Sequence, residues 1–377
     1  MKRFPVIDFI RFASIFVVIG NHFYPNWIAS FAPFDFLRYL IVAFFSNGIY
    51  GVTCFFVVSG FLITHMLAHK VTDLSRINLK VFYIRRTARI FPLLIVVILV
   101  GLFMERFIGL FDEKILHYNV WKDSTGFGWS FWASLFSLTF NWYLIGQRGD
   151  GLHWNVLWSL AVEEQFYLGY PLIVKFLGDR KKIAVFLSVV ILSAVVYREW
   201  VLPSFEFNEY LMHQSSFGAF DQIAVGALVY FANEQWGDWL KRRLKTAVFL
   251  MTAGTAGCFY LFAQTSYRNG NQYVFVPTLM AMSCAMVILG GLHIPTLNSK
   301  TVHFFSWPGK LSYGCYLWHP SLIVLLMPFL VSMGGFWAFI GLVIMVCLFA
   351  WISYKYFEVP VNRRVRFWFK LKPSLSE

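Results

Sequence analysis

Long apolar runs separated by short basic segments dominate this chain. Runs of roughly twenty mostly apolar residues, the length a helix needs to cross a hydrocarbon core of about 30 Å, lie near 5–24, 45–67, 82–104, 156–177, 183–202, 217–233, 246–264, 273–292, 311–330 and 337–357. The pattern predicts an all-α integral membrane protein of about ten transmembrane helices. One further apolar stretch, 129–145, is shorter. Counted as a crossing, it would put the basic segment 175–182 outside the cell, against the positive-inside bias. Read as an interfacial or re-entrant segment, it restores that bias.

With this threading, 24 Lys and Arg residues fall in inner segments and seven in outer ones, with Arg11 inside a helix. Both termini are therefore expected in the cytoplasm. Residues 1–360 are read as one transmembrane domain and 361–377 as a basic cytoplasmic tail. The longest outer stretch, 105–155, is expected to form a lid or access loop.

Composition agrees with lipid as the solvent. Hydrophobic residues make up 58% of the chain and charged residues 14%, against about 25% charged in soluble domains. The 15 Trp and 43 Phe suffice for helix interfaces and interfacial belts. A net charge of +13 raises the question of nucleic acid. The basic residues are scattered between spans and form no stripe, which excludes that partner. Cys54, Cys258, Cys284, Cys315 and Cys347 all sit inside predicted spans without a CxxC pair, so neither a disulfide framework nor a zinc site is expected. No metal is expected elsewhere. The N-terminal run carries Asp8 and Arg11 and lacks a small-residue cleavage site, so it reads as a retained first helix rather than a signal peptide.

Ionisable residues inside spans are costly unless paired or facing a wet cavity, which makes them functional candidates; the plain alternative is a polar network that fixes helix packing. Here they are Asp8, Arg11, Glu163, Glu164 and Asp221, with His22 and His319. Arg11 and His22 stand eleven residues apart, so they return to within about 20° of one helix face and are separated by roughly 16 Å along it. Asp8 lies one turn from Arg11 and is placed to pair with it. In 48–64, Gly48, Gly51 and Gly60 with Ser59 would let a backbone or a ligand approach closely, and ordinary helix packing is the stronger reading. Arg85, Arg86 and Arg89 gather at the mouth of the third span, where guanidinium forks suit a polyphosphate or lipid headgroups; taken alone, a plain positive-inside topology signal is the stronger reading. Ser159, Glu163, Phe166, Tyr167 and Tyr170 share one face of the 156–177 span, and the adjacent Glu164 points elsewhere. Pro320, after His319, frees a backbone carbonyl mid-helix, a device seen beside cavities.

Taken in order, these motifs resemble the acyltransferase-3 family of bacterial inner-membrane enzymes, which O-acylate cell-envelope sugars and related hydroxyls. The resemblance rests on Arg11 and His22 with ten residues between them, and on the segments GVTCFFVVSGFLI, RRTARIFP, WSLAVEEQFY, SYGCYLWHP and FEVP. It covers nearly the whole chain. No SGNH-type hydrolase domain follows the last span, so the single-domain form is expected. The resemblance implies an acyl-CoA donor, commonly acetyl-CoA, and a carbohydrate or lipid-linked glycan acceptor, handled by a multi-pass protein in contact with membrane lipids. Arg85, Arg86 and Arg89, with Ser59 and Gly60, are expected to hold the donor, whose pantetheine arm would run along the first helix toward His22. His22 is the expected general base or acyl carrier. Arg11 would neutralise charge, and Glu163 would orient His22 or bind acceptor hydroxyls. Trp158, Ser159, Tyr167, Asp221 and His319 are expected to line the acceptor site. Two competing classes remain: a secondary transporter, which also uses buried Arg, His and Glu near the midplane, and a non-catalytic assembly protein.

Overall fold

The computed structural model describes residues 4–23, 25–69, 71–108, 128–146, 152–201, 213–263 and 274–369. Among the described residues the secondary structure is helical, with no strand, as expected where every backbone polar group must be satisfied inside its own segment.

All ten predicted runs coincide with helices. The first is α1 (Pro5–His22), followed by α2 (Asp35–Ser46), α3 (Gly48–Ala68) and α4 (Leu79–Ile108). Two short helices, α5 (Trp129–Phe136) and α6 (Phe140–Gly146), precede α7 (Leu157–Leu177) and α8 (Arg180–Val196). The remainder are α9 (Ser216–Arg242), α10 (Leu244–Ala263), α11 (Val276–Gly291), α12 (Ser312–Leu330), α13 (Gly335–Ser353) and α14 (Val359–Trp368). Among the described residues, seven stretches are long and apolar enough to cross a membrane, and α11 is a shorter apolar helix. The two remaining predicted spans, α7 and α9, are long but carry Glu163, Glu164 and Asp221. This is a multi-pass membrane architecture.

The 129–145 stretch is broken where Leu138 adopts a φ of +60° between α5 and α6. At 1.5 Å per residue neither piece is long enough to cross a bilayer. The Gln165 side chain donates to the Leu138 carbonyl, so this break is held against α7. Of the expected lid over 105–155, residues 109–127 and 147–151 lie outside the described residues. The expected boundary at 360/361 falls inside α14.

Local signals set several helix starts. The Asp179 carboxylate accepts from the Lys181 and Lys182 amides at the head of α8, and the Ser215 hydroxyl accepts from Gly218 at the head of α9, both as side-chain N-caps. At the core, α1 packs against α3 and α12, and α3 packs against α9. The α3–α9 crossing needs two glycines. A Cβ on Gly60 would lie 1.9 Å from the Ile223 carbonyl oxygen, and one on Gly226 would lie 1.9 Å from the Val57 carbonyl oxygen. Small residues let helix backbones touch in a membrane. Gly60 therefore faces α9, which accounts for it as packing.

Candidate active site

The sequence-predicted polar residues divide between two cavities and one buried network. The first cavity, of about 130 Å³, is lined by Arg11, Ser59, Arg86, Arg89, Glu163 and Tyr167. Four helices supply them: α1, α3, α4 and α7. The second, of about 290 Å³, is lined by His22, Asn155, Trp158, His213 and Gln214. Val52 and Tyr316 line both, so these two side chains stand in the wall between the arginine cavity and the histidine cavity. The helical spacing that puts Arg11 and His22 on one face thus gives each a cavity, and the fold places a partition between them.

In the arginine cavity the charges are largely matched. Arg86 Nη2 donates to Glu163 Oε1 at 2.9 Å and to Glu164 Oε1 at 3.2 Å, while its Nε donates to Glu164 at 3.3 Å. Its guanidinium carbon lies 3.7 Å above the centre of the Tyr167 ring, a cation–π contact that adds to the ion pairs. Both the Ser59 and Tyr167 hydroxyls reach the Glu163 carboxylate, and they also meet each other. Glu163 is thus held by a cation and two hydroxyls, and the residue that meets His22 is a different one. Arg89 lines the cavity and has no ion pair among the described residues. Arg85 does not line it, and its buried Nε finds no hydrogen-bond partner.

The dividing wall is fixed by hydroxyls. Tyr316 donates its phenol proton to the Val156 carbonyl at 2.8 Å, and its oxygen lies 2.7 Å from the Ser159 hydroxyl. Ser159 therefore acts on the partition, close to both cavities. Trp158 packs its ring edge-on against Phe56, with centroids 6.0 Å apart, and faces the histidine cavity.

At the end of α1, His22 Nδ1 lies 2.9 Å from His319 Nε2. The two rings are within 8° of parallel. His319 Nδ1 in turn lies 2.7 Å from the Tyr316 carbonyl oxygen and 3.3 Å from that of Cys315. His319 is completely buried. The predicted role of Pro320 is realised here, because a proline at 320 cannot donate to the carbonyl four residues back, which belongs to Tyr316.

Asp221 takes part in neither cavity. It forms a fully buried ion pair with Arg198, at 2.9 Å between Arg198 Nη2 and Asp221 Oδ2, and accepts from Thr278 at 2.6 Å. Arg198 also donates to the Val274 carbonyl at 2.8 Å. It enters the core from a π-helical turn, Tyr197–Val201, that ends α8. Arg198 lies at the end of the predicted 183–202 run but was counted with the outer basic residues and not among the candidates, and the turn that buries it left no periodic signal. Asn155, His213 and Gln214 were also missed, since they lie just outside the predicted spans where buried polarity is unremarkable. Gln214 is held in place through its carbonyl, which accepts from Asn141 at 3.0 Å.

Residues 4–355 match the family model described as an acyltransferase domain, that of the acyltransferase-3 family. The chain is 30% identical over 392 residues to the peptidoglycan O-acetyltransferase OatA of Listeria monocytogenes, covering 96% of this chain and 56% of that protein. It is 28% identical over 387 residues to the putative peptidoglycan O-acetyltransferase YrhL of Bacillus subtilis, covering 96% and 55%. To the O-acetyltransferase OatA of Staphylococcus aureus it is 26% identical over 386 residues, covering 96% and 58%. The chain thus spans a little over half the length of the curated relatives it matches. No solved structure matches it. A family model that runs over nearly every described helix, cavity walls included, makes this chain a member of the acyltransferase-3 family.

Proposed function

We propose that this chain is a membrane O-acetyltransferase that moves an acetyl group from a cytoplasmic acetyl-CoA to a hydroxyl of a cell-envelope glycan. Peptidoglycan-type sugar is the acceptor class favoured by the names of its relatives. The observation that carries the reading is that His22, on the wall of one cavity, pairs with the buried His319, one partition away from a cavity lined by arginines. With both termini inside, the arginine cavity faces the donor and the histidine cavity faces the acceptor, in the cell membrane. His22 lies on a cavity wall, where a reacting hydroxyl can reach it.

In the proposed reaction the acceptor hydroxyl oxygen attacks the thioester carbonyl carbon while His22 Nε2 takes the hydroxyl proton. The carbon–sulfur bond breaks, His22 returns the proton to the departing thiolate, and ester and free thiol are the products. A transient acetyl-imidazole on the same nitrogen would divide the transfer into two steps. Arg89, free of ion pairs among the described residues, is the arginine best placed for the donor's phosphates, since guanidinium–phosphate pairing is strong. Arg86 is committed to Glu163 and Glu164, so it supports the cavity wall rather than gripping phosphate. For the thioester to reach His22, the Val52–Tyr316 partition has to part. Trp158 offers a face for the acceptor sugar.

The test is transfer of label from acetyl-CoA to soluble glycan fragments by purified protein in liposomes. Loss of transfer in His22→Ala, with folding intact, is the expected result. Full activity in that variant would remove His22 from the chemistry, and absence of any donor turnover by the native protein would remove the enzyme reading.

A further inference from the structure

We infer that Gln214 is an acceptor-binding residue: its side-chain oxygen takes a hydrogen bond from a second hydroxyl of the acceptor sugar, and so selects which hydroxyl meets His22. The part played by His22 rests on the function proposed above; the binding of a sugar hydroxyl at Gln214 does not.

Gln214 lines the same cavity as His22. Its residue surface is 6% exposed, yet only one end of its amide is engaged. Nε2 lies 3.5 Å from Asn155 Oδ1, at the long limit of a hydrogen bond. Oε1 is buried and has no hydrogen-bond partner among the described residues. Buried polar atoms are normally paired, because an unmatched one gives up its hydration and gains nothing. An amide oxygen accepts and never donates, so the group that fits against Oε1 is a hydrogen-bond donor.

The surroundings favour a neutral one. The polar side chains of the wall, Asn21, His22, Ser46, Asn155, His213 and Gln214, are amides, a hydroxyl and imidazoles, and no Asp, Glu, Lys or Arg is among the described residues that line the cavity. At about 290 Å³ it stands at the small end of ligand pockets, about 300–1,000 Å³, which suits a single sugar ring beside the Trp158 face.

The backbone under Gln214 is fixed independently of that oxygen. Asn141 of α6 donates through Nδ2 to the Gln214 carbonyl at 3.0 Å and to the Ser216 hydroxyl at 3.1 Å. Gln165 of α7 donates to Asn141 Oδ1 at 2.9 Å and accepts from the Ser216 hydroxyl. The short helix α6, the long helix α7 and the head of α9 are thus tied together at residue 214, and the network leaves Oε1 unused. A group held this way does not have to be ordered when its ligand arrives, which favours binding.

A hydroxyl has one proton to donate. The proton of the attacking hydroxyl goes to His22, so Gln214 is served by a different hydroxyl of the same sugar. Two acceptors on one cavity wall hold the ring in one register, and that register decides which oxygen stands at the thioester.

The experiment uses the full chain in nanodiscs, acetyl-CoA, and peptidoglycan glycan fragments released by a muramidase. Gln214→Met removes the oxygen at nearly constant shape, and Gln214→Asn withdraws it by one methylene while keeping an amide; if one fails to fold, the other carries the test. Either variant should raise the acceptor KM about tenfold with donor KM unchanged. NMR of the product should find the acetyl group on one hydroxyl with the native protein and spread over a second with the variants. Calorimetry without acetyl-CoA should show fragment binding weakened by the same factor. A folded variant with native acceptor KM and a single product overturns the inference, as does a lowered kcat at unchanged acceptor KM. Fragment binding that depends on Gln214, with no transfer by the native protein, would keep this site and remove the proposed function; native transfer indifferent to Gln214 would do the reverse.

Discussion

Arg86 directs one guanidinium at two neighbouring carboxylates, 2.9 Å from Glu163 and 3.2 Å from Glu164. Adjacent residues on a helix normally diverge, and a fork with several donors is what lets one cation serve both. Removing the cation strands two carboxylates, whereas removing one carboxylate leaves the other pair in place. Arg86→Met should therefore cost about 3–5 kcal/mol, the range for breaking a buried pair, and Glu163→Gln distinctly less. Thermal unfolding in detergent, read side by side for the two variants, checks the order; equal losses would contradict it.

The glycine crossing gives a second prediction. A methyl group on Gly60 meets the Ile223 carbonyl, which is backbone and cannot swing aside. Gly60→Ala should lose about 1–3 kcal/mol through overpacking. Protein that does fold should keep the native KM for donor. A selective rise in donor KM without loss of stability would return Gly60 to the donor site.

The partition predicts a separation of binding from turnover. Val52 faces both cavities. Val52→Phe should narrow the passage while leaving both sets of polar groups in place. Acetyl transfer should fall by at least about tenfold, equivalent to about 1.4 kcal/mol of barrier, with donor KM preserved. An unchanged rate would mean that the thioester does not pass this wall.

Pro320 sets stability against activity. Pro320→Ala removes an interior helix proline, which disfavours a helix by about 3 kcal/mol relative to alanine, and supplies a new donor to the Tyr316 carbonyl. Its melting temperature should rise while transfer falls, as a competing N–H weakens the anchor of His319. The two measurements belong on the same preparation, and a rise in both would count against the anchoring role.

The buried Arg198–Asp221 pair makes a prediction that separates structure from substrate contact. Asp221→Asn leaves the Arg198 charge without its counter-charge at full burial and should cost about 3–5 kcal/mol. Any folded fraction should bind acceptor normally. A stable Asp221→Asn protein with a raised acceptor KM would place Asp221 in the acceptor site after all.

Hydrophobic run length alone determined the helical class and the positions of the helices, seven of whose stretches are long and apolar enough to cross a membrane among the described residues, because a bilayer sets a minimum length on every crossing and forbids unsatisfied backbone. The same physics singled out Arg11, His22, Glu163, Glu164, Asp221 and His319, since ionisable groups persist in lipid only with a reason. Which of them meet was decided by tertiary packing. Helical periodicity reports what shares a face of one helix, so it aligned Arg11 with His22 and carried no information about the Val52–Tyr316 wall that separates them. It could not tell that Glu163 turns to Arg86, that Asp221 is sealed against an arginine from a π-helical turn, or that His319 lies beside His22 although 297 residues separate them in sequence. Those pairings depend on how α1, α4, α7, α9 and α12 cross, and the crossings depend on close backbone contacts such as Gly60 on Ile223, whose partners are distant in the chain.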